Sequence, residues 1–256
     1  MLDTRLRTSA AVAAQRRPRD ADVRAVTFNW PKRFGKGGEA GDEAMFERLS
    51  AQADVMGLQE FRWAMPKITD GEKKWGFFNP NPPRDGDPER AGQVLAWRKD
   101  KFQLLDTGTT LLNRPTRIQQ KAAGPTVHRS KSIIWAKLRH RETKEVWTVA
   151  VVHLVPSKHL GGAAAELWRK QRDGIAEWMK KQGPRTLVMG DFNGEWDDSI
   201  AKPLHRVAKQ QSAPSHGRRE IDWVLRSKDL EVKGRARALD SFGQSDHRPV
   251  RSVVRG

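Results

Sequence analysis

The sequence of 256 residues contains no cysteine and no tyrosine. The absence of cysteine excludes disulfide bonds, a disulfide-linked partner, thiolate metal ligands and cysteine nucleophiles. Any metal site must therefore use oxygen and nitrogen ligands. Because a lack of cysteine fits a reducing compartment, we expect a cytoplasmic protein.

Long apolar runs are also missing from the sequence. No run approaches the roughly 18 residues needed to cross a membrane. The apolar stretch at residues 10–14 is too short for the core of a secretion signal. We therefore expect no membrane partner and no export by this route.

Acidic residues are outnumbered by basic ones, 31 to 48, which gives a net charge of +17. Residues 1–22 contribute only +2 of this charge, because five arginines there face three aspartates. We predict a basic, disordered tail over residues 1–22, with a transit-like peptide as the alternative, and one domain over residues 23–256. The remaining +15 favours a polyanionic partner, since neutralised phosphates release counterions. The alternative is a soluble protein that is merely rich in lysine and arginine.

Continuous apolar segments predict buried strands. These segments are Val23–Phe28, Val55–Leu58, Val94–Trp97, Ile133–Leu138, Val146–Leu154, Thr186–Met189, Ile221–Leu225 and Val250–Val254. Apolar residues at helical spacing predict helices at 42–53 and 163–182. Segments 94–97 and 103–106 are predicted to form an antiparallel hairpin, and so are segments 133–138 and 146–152. The pattern therefore predicts a mixed α and β fold with much antiparallel pairing.

Polar side chains stand at the ends of most of these strands. They are Asn29, Gln59 with Glu60, His153, Asp191 with Asn193, Asp222, and Asp246 with His247. A strand fixes the position of the backbone, and the loop after it can direct a functional group into a cleft. Each residue taken singly could be a cap, a turn residue or a satisfied core residue. Together, these carboxylates, carboxamides and imidazoles are the groups that a Mg²⁺ or Mn²⁺ phosphoesterase requires.

The segments TFN, LQE, VVHL, GDFN, IDWV and SDHRPV follow one another between residues 23 and 254. In this order they resemble the motifs of the endonuclease/exonuclease/phosphatase superfamily of metal-dependent phosphodiesterases. The resemblance implies an α/β fold, a four-layer sandwich of two mostly antiparallel β-sheets flanked by helices. It also implies a Mg²⁺ cofactor, with Mn²⁺ as the alternative.

The same resemblance implies a role for each matching residue. It implies that Glu60 is the main metal ligand, with Asn29 and Asp246 close to the ion. Asp191 would orient or deprotonate the attacking water, and Asn193 would hold Asp191 and donate to the phosphate.

Three further residues complete the implied catalytic set. His247 would contact the scissile phosphate while Asp222 accepts a hydrogen bond from its other ring nitrogen. His153 would occupy the position that separates the deoxyribonuclease and sphingomyelinase branches from the abasic-site enzymes, and Glu89 is the nearest candidate to support it.

Substrate contacts are expected from a few residues outside the motifs. Arg129 or Lys131 could bind a phosphate before strand 133–138, the alternative being a solvated basic hairpin base. Trp196 could line the cleft, and so could Trp30 and Trp63, although packing is the alternative for each. The other histidines are expected at the surface or in loops; they are His128, His140, His159, His205 and His216.

These features predict a Mg²⁺-dependent phosphodiesterase that hydrolyses nucleic acid, with a DNA endonuclease or other DNA nuclease as the first interpretation. The positive charge favours this substrate. The alternatives are a phosphodiesterase or phosphatase acting on phospholipid head groups or small phosphoesters, and an inactive member that binds nucleic acid.

Overall fold

Apolar segments form most strands of the computed structural model, which describes residues 21–30, 38–61, 71–80, 92–120, 124–156, 162–196, 198–240 and 245–256. Within these residues the helices are α1 (Gly38–Ser50), α2 (Gly71–Lys74), α3 (Ala163–Lys180) and α4 (Asp198–His205). The strands are β1 (Asp22–Asn29), β2 (Val55–Phe61), β3 (Trp75–Phe78), β4 (Gly92–Arg98), β5 (Phe102–Asn113), β6 (Thr116–Gln120), β7 (Gly124–His128), β8 (Lys131–His140), β9 (Val146–His153), β10 (Thr186–Asp191), β11 (Ala208–Ser212), β12 (Asp222–Ser227), β13 (Glu231–Val232), β14 (Arg237–Ala238) and β15 (Val250–Arg255).

Most of the described strands belong to two mixed sheets. The first sheet has the order β13-β15-β1-β2-β4-β3, with β14 also paired to β15, and the second has the order β11-β12-β10-β9-β8-β5. Strands β6 and β7 form a separate two-stranded sheet. The pairs β1–β2 and β9–β10 are parallel, and the other strand pairs in the described residues are antiparallel. The predicted fold class, two mostly antiparallel sheets flanked by helices, is therefore confirmed.

Each sheet packs on the other sheet through one face and on a helix through its outer face, so the fold has four layers. Residues such as Val151 of β9 and Val55 of β2 meet in the core between the sheets. The outer face of the first sheet packs on Phe46 and Leu49 of α1, and the outer face of the second packs on Trp168 of α3. Because the central strands are buried on both faces, their sequences read as continuous apolar runs rather than alternating ones.

Close approach of the two sheets depends on Gly57 in β2. A Cβ atom at this position would lie 2.9 Å from Cβ of Met189 and 3.1 Å from Cγ2 of Val151, both on the opposite sheet. Any larger residue would therefore push the sheets apart where β2 packs on β9 and β10.

The hairpin predicted from segments 94–97 and 103–106 is wrong. Strand β4 pairs with β2 and β3 in the first sheet, whereas β5 pairs with β8 in the second. Apolar patterning shows that a residue is buried but not which of two packed sheets contains it, so the short turn between the strands resembled a hairpin. The other predicted hairpin is confirmed, since β8 and β9 pair antiparallel from Ile134 opposite Val151 to Arg139 opposite Val146.

The direction of the parallel strands determines where the polar strand ends meet. In each sheet the carboxyl ends of two parallel neighbours lie at the same edge, and β1 of the first sheet packs across β10 of the second. Asn29, His153 and Asp191 are the last residues of β1, β9 and β10. In the part of the chain that the structure describes, no helix combines the length and apolar character required to cross a bilayer.

Candidate active site

Strand pairing places three of the predicted site residues side by side. Asp191 at the end of β10 lies opposite His153 of β9 and opposite Asp222, the first residue of β12. Asn29 reaches the same point from the first sheet, because its Nδ2 donates a hydrogen bond to Oδ2 of Asp191 at 3.0 Å. Residues far apart in the sequence are thus joined where the two sheets meet.

The Asp191 carboxylate is buried and held from several sides. The backbone N–H of Asn193 donates to Oδ1 at 2.7 Å, and Nε2 of His153 lies 3.6 Å from Oδ2. Burial and the nearby charge of Asp222 raise the pKa of the Asp191 carboxyl to about 7, against the stabilising effects of His247, Asn193 and Asn29. A carboxyl group whose pKa lies near neutrality is suited to accept a proton.

His247 forms a buried pair with Asp222. Its Nδ1 lies 2.8 Å from Oδ2 of Asp222, and Asp222 is fully buried. Burial disfavours the imidazolium, but the hydrogen bond and charge of Asp222 outweigh it, together with the charges of Asp191 and Asp246, and raise the pKa of His247 to about 9. A carboxylate on Nδ1 fixes the tautomer and directs Nε2 away from it.

Two serines fix the loops that carry this pair. Oγ of Ser215 accepts from the N–H of Asp222 at 3.3 Å, and Oγ of Ser245 accepts from the N–H of His247 at 3.1 Å. Ser245 in turn donates to the carbonyl oxygen of Asn29 at 2.9 Å, which links the His247 loop to β1.

Glu60 lies where the pairing of β2 with β4 shifts register, between Leu58 and Phe61. Its φ of 52° is in the left-handed region, which is uncommon for glutamate and is found mostly where function requires it. Glu60 and Asp191 are both within electrostatic reach of Lys131, the first residue of β8. Burial lowers the pKa of the Lys131 ammonium to about 8, although these two carboxylates oppose that change.

Asn193 differs in detail from what the sequence predicts. The hydrogen bond to Oδ1 of Asp191 comes from the backbone N–H of Asn193. The side-chain Nδ2 of Asn193 donates instead to the carbonyl oxygen of Leu154 at 3.0 Å. Its φ of 52° permits both contacts in one tight turn after β10.

Comparison with known families agrees with this geometry. The model of the endonuclease/exonuclease/phosphatase family matches residues 33–247. The chain belongs to this family. Members of the superfamily are phosphoesterases and related hydrolases, and this member is similar in structure to several of them. No curated protein matches the sequence.

Solved structures share the fold over nearly the whole chain. An endonuclease/exonuclease/phosphatase from Bacteroides vulgatus is 20% identical, with 91% of this chain and 98% of that chain covered and a TM-score of 0.67. The catalytic domain of human Nocturnin, with bound sulfate, is 20% identical, with coverages of 93% and 99% and a TM-score of 0.67. TDP2 from D. rerio, complexed with a single-stranded DNA product, is 14% identical, with coverages of 92% and 99% and a TM-score of 0.68. Identities this low show a common fold and leave the substrate open.

The donor set of this family member fits a divalent cation. Among the described residues, two groups have ligand atoms within 4.8 Å of one another: Asp191 with Asp222 and His247, and His216 with Asp246 and His247. Oδ1 of Asp222 is buried and has no hydrogen-bond partner among the residues that the structure describes. Carboxylate oxygens are the ligands that a hard cation such as Mg²⁺ prefers. Glu60 belongs to neither of these groups in the described part of the chain.

His216 lies in a partly exposed turn, as expected, but the sequence does not reveal its contacts with Asp246 and His247. Its Nε2 lies 3.5 Å from Oδ2 of Asp246, and its ring centroid lies 4.8 Å from that of His247. It occupies a turn that is anchored where the N–H of Arg248 donates to the carbonyl oxygen of Ser215 at 2.7 Å. A single histidine outside any strand or helix leaves no periodic pattern in the sequence. Its place at the site becomes visible only where the loop of Ser215 and His216 contacts the loop of Asp246 and Arg248.

The three predicted substrate-binding residues differ in their exposure and in their distance from the carboxylates. Lys131 lies beside the carboxylates, whereas Arg129 is exposed and, among the described residues, has only a backbone contact with Asn113. Trp196 is partly buried: it stacks on His205 with 4.6 Å between ring centroids and meets Trp223 edge to face at 5.1 Å. One face of the Trp196 ring is therefore covered, and its contact with substrate stays a prediction.

Other sequence expectations near the site have mixed outcomes. Trp30 is 3% exposed and packs against Phe28 and Phe61, so it belongs to the core. His140, the last residue of β8, is buried rather than at the surface, and its Nδ1 accepts a hydrogen bond from the N–H of Thr143. Three residues lie outside the described residues: Trp63, Glu89 and His159.

Proposed function

We propose that the protein is a Mg²⁺-dependent phosphodiesterase that hydrolyses nucleic acid, with DNA as the first substrate to test. The observation that supports this most is a pair of buried groups with opposite tendencies. Asp191 has a pKa raised to about 7 and can take a proton, whereas His247 has a pKa raised to about 9 and carries one. Acid and base work on a phosphodiester requires two such groups.

Asp191 is the proposed general base. Asn29 and the N–H of Asn193 hold its carboxylate in one orientation, so that it can align a water molecule for in-line attack on phosphorus. As the new P–O bond forms, the water proton passes to Asp191, the bond to the leaving oxygen breaks on the opposite side, and the leaving oxygen takes a proton from solvent. No covalent enzyme intermediate is required.

His247 is the proposed donor to the phosphate. Asp222 binds Nδ1, so Nε2 remains to donate a hydrogen bond to a phosphate oxygen as negative charge develops there. Lys131 would supply a second positive charge close to Asp191. His153, 3.6 Å from Asp191, would position that carboxylate.

The metal ligands of the proposal are Glu60, Asn29 and Asp246, with His216 positioning Asp246. When bound, Mg²⁺ would supply Lewis-acid stabilisation of the charge on the phosphate and leaving oxygens. Of these ligands, Asp246 belongs to one group of close ligand atoms in the described residues, with His216 and His247, and this supports a cation beside the loop that holds it.

The positive net charge of the protein favours nucleic acid as the substrate. A body with +15 outside the first 22 residues attracts a polyphosphate, while the acidic pocket attracts the metal. A fold shared with TDP2, whose structure contains a single-stranded DNA product, is compatible with this choice.

The test uses purified protein with supercoiled plasmid, single-stranded DNA, RNA, phosphatidylcholine vesicles and bis(4-nitrophenyl) phosphate, each with Mg²⁺, with Mn²⁺ and with chelator. We expect metal-dependent cleavage of DNA. Asp191→Asn should lower the rate about 100- to 10,000-fold, because a general base contributes about that much. The matched control is Asp229→Asn, since Asp229 is exposed beyond the opposite end of β12.

The outcomes separate the parts of the proposal. Undiminished plasmid cleavage by Asp191→Asn would contradict the mechanism. Turnover confined to lipids or monoesters would contradict the nucleic-acid substrate. Tight DNA binding without turnover in either metal would indicate an inactive binding protein.

A further inference from the structure

An open cavity of about 610 Å³ lies between the β5–β6 connection and the first half of α3. Its volume is within the range of about 300–1,000 Å³ that is typical of small-molecule sites. Leu112, Ile118 and Leu167 form apolar parts of its wall. None of these residues belongs to the catalytic set described above.

The rim of this cavity is basic. Arg114, Arg117 and Lys170 are exposed there, against one carboxylate, Glu166. Within the described residues, none of these three cationic side chains forms a hydrogen bond or an ion pair. Their charges are therefore available to an anion, and apolar walls next to free cations suit a ligand with both characters.

The cavity adjoins the sheet edge that carries the candidate site. Asn113 lines the cavity and is paired in register with Lys131, which lies beside Asp191. Oδ1 of Asn113 accepts from Nε2 of Gln171 at 2.6 Å, and Oε1 of Gln171 accepts from the N–H of Val155 at 3.0 Å. The wall is thus fixed by buried polar contacts.

These contacts continue to the residues that hold Asp191. The residue before Val155 is Leu154, whose carbonyl oxygen accepts from Nδ2 of Asn193 at 3.0 Å. The order β5-β8-β9-β10 places Asn113 three strands from Asp191, about 14 Å at the usual strand spacing of about 4.8 Å, so a polynucleotide bound at Asp191 is long enough to reach the cavity.

We propose that the cavity binds a nucleotide of the substrate strand that flanks the scissile phosphodiester, beyond the adjacent one. Arg114, Arg117 and Lys170 bind the flanking phosphate, and the apolar walls bind the sugar and base. The inference rests on the proposed function for its substrate, and it adds a preference for polynucleotides over isolated phosphodiesters. A monoester or a small diester has no flanking phosphate to place there.

The test compares two variants with the same decrease in charge. The cavity variant is Arg114→Gln/Arg117→Gln/Lys170→Gln. The matched control is Arg139→Gln/Lys209→Gln/Lys228→Gln, whose residues are exposed near the strand ends opposite Asp191. Metal-free binding of fluorescein-labelled single-stranded DNA is followed by anisotropy at several salt concentrations, and cleavage is followed with the same DNA and with bis(4-nitrophenyl) phosphate.

For the cavity variant we expect Kd for DNA to rise on the order of ten-fold, with a salt slope smaller by about 0.7 for each phosphate that the protein no longer neutralises. The ratio of kcat/KM for DNA to that for the small diester should fall by a similar factor. The control variant should show at most a small part of either change. If the cavity variant unfolds earlier than wild type, Arg117→Gln alone should show the same direction in both measurements.

Equal effects in the two variants would overturn the inference, since they would indicate a general effect of net charge. Unchanged binding in the cavity variant would also overturn it, and so would wild-type binding to phosphatidylcholine vesicles but not to DNA. If wild type binds DNA without cleaving it, the proposed function fails, whereas the anisotropy comparison still decides the cavity.

Discussion

Replacing Asp222 with asparagine should convert His247 from a cation into a mostly neutral imidazole near physiological pH. The substitution preserves size and a hydrogen-bond acceptor 2.8 Å from Nδ1 of His247, but it removes the charge. The His247 side chain is 8% exposed and Asp222 fully buried, so solvent does not screen the change in charge.

The magnitude follows from the pKa of about 9 for His247 in the intact pair. Without the carboxylate, burial acts against the remaining charges, and the pKa should return to about 6.5, the ordinary value. At about pH 7.5 the cationic fraction of His247 would then fall from roughly 97% to roughly 9%, a decrease of about ten-fold. The corresponding loss of free energy that favours the imidazolium over the neutral imidazole is about 3 kcal/mol.

The assay is a histidine side-chain NMR titration of ¹⁵N-labelled protein in chelator, with His247→Gln used to identify the signal. In the metal-dependent cleavage assay, Asp222→Asn should lower kcat/KM at least about ten-fold near neutral pH, and part of the activity should be recovered as the pH is lowered. Asp229→Asn is the control. A pKa near 9 for His247 in Asp222→Asn, or one near 6.5 in wild type, would refute the reasoning.

Three further predictions concern other parts of the chain. Lys131→Met should lower kcat on the order of 100-fold, because it removes a positive charge close to the reacting phosphate; steady-state kinetics with DNA would test this, and an unchanged kcat would exclude the role. Asp54→Asn should reduce the free energy of unfolding by about 1–3 kcal/mol, because it breaks a buried carboxylate's hydrogen bonds with Arg24, the closest at 2.7 Å. Although burial opposes it, Arg24 holds the pKa of Asp54 below its usual value. This stabilisation is therefore complete above about pH 4 and is lost as the pH falls through the pKa of folded Asp54. In urea unfolding, the free energies of wild type and variant should converge in acid, and a difference that does not change with pH would contradict the assignment. Gly57→Ala should lower the free energy of unfolding by about 1–3 kcal/mol, because the added methyl group forces the two sheets apart. Gly183→Ala is the control, since its Cβ would have nothing within 4 Å, and thermal unfolding should show little effect for it.

Much of the fold could be predicted because burial leaves a direct pattern in the sequence. Strands such as β9 and β10 are covered on both faces, so they appear as uninterrupted apolar runs. The edge strand β5 is different: Leu104 and Leu111 are exposed there, and its partner in the other sheet is not encoded by the local pattern. The same limit explains why β4 and β5 were expected to form a hairpin.

The local pattern of the sequence is enough to identify which polar residues stand at the ends of the strands. Asn29, His153 and Asp191 follow apolar runs whose length and composition place them at a sheet edge. The resemblance of the motifs then indicated the family and the class of reaction.

How these groups affect one another depends on the packing of the whole fold. Protonation depends on distance and burial, and both are set by the packing of one sheet on the other. The proximity of Asp191 to Asp222, the desolvation of Lys131 and the position of His216 beside Asp246 all arise from contacts between strands and loops that are distant in sequence. The chain's sequence therefore specifies the chemical groups of the candidate site, and its fold specifies their charges and which of them can act together.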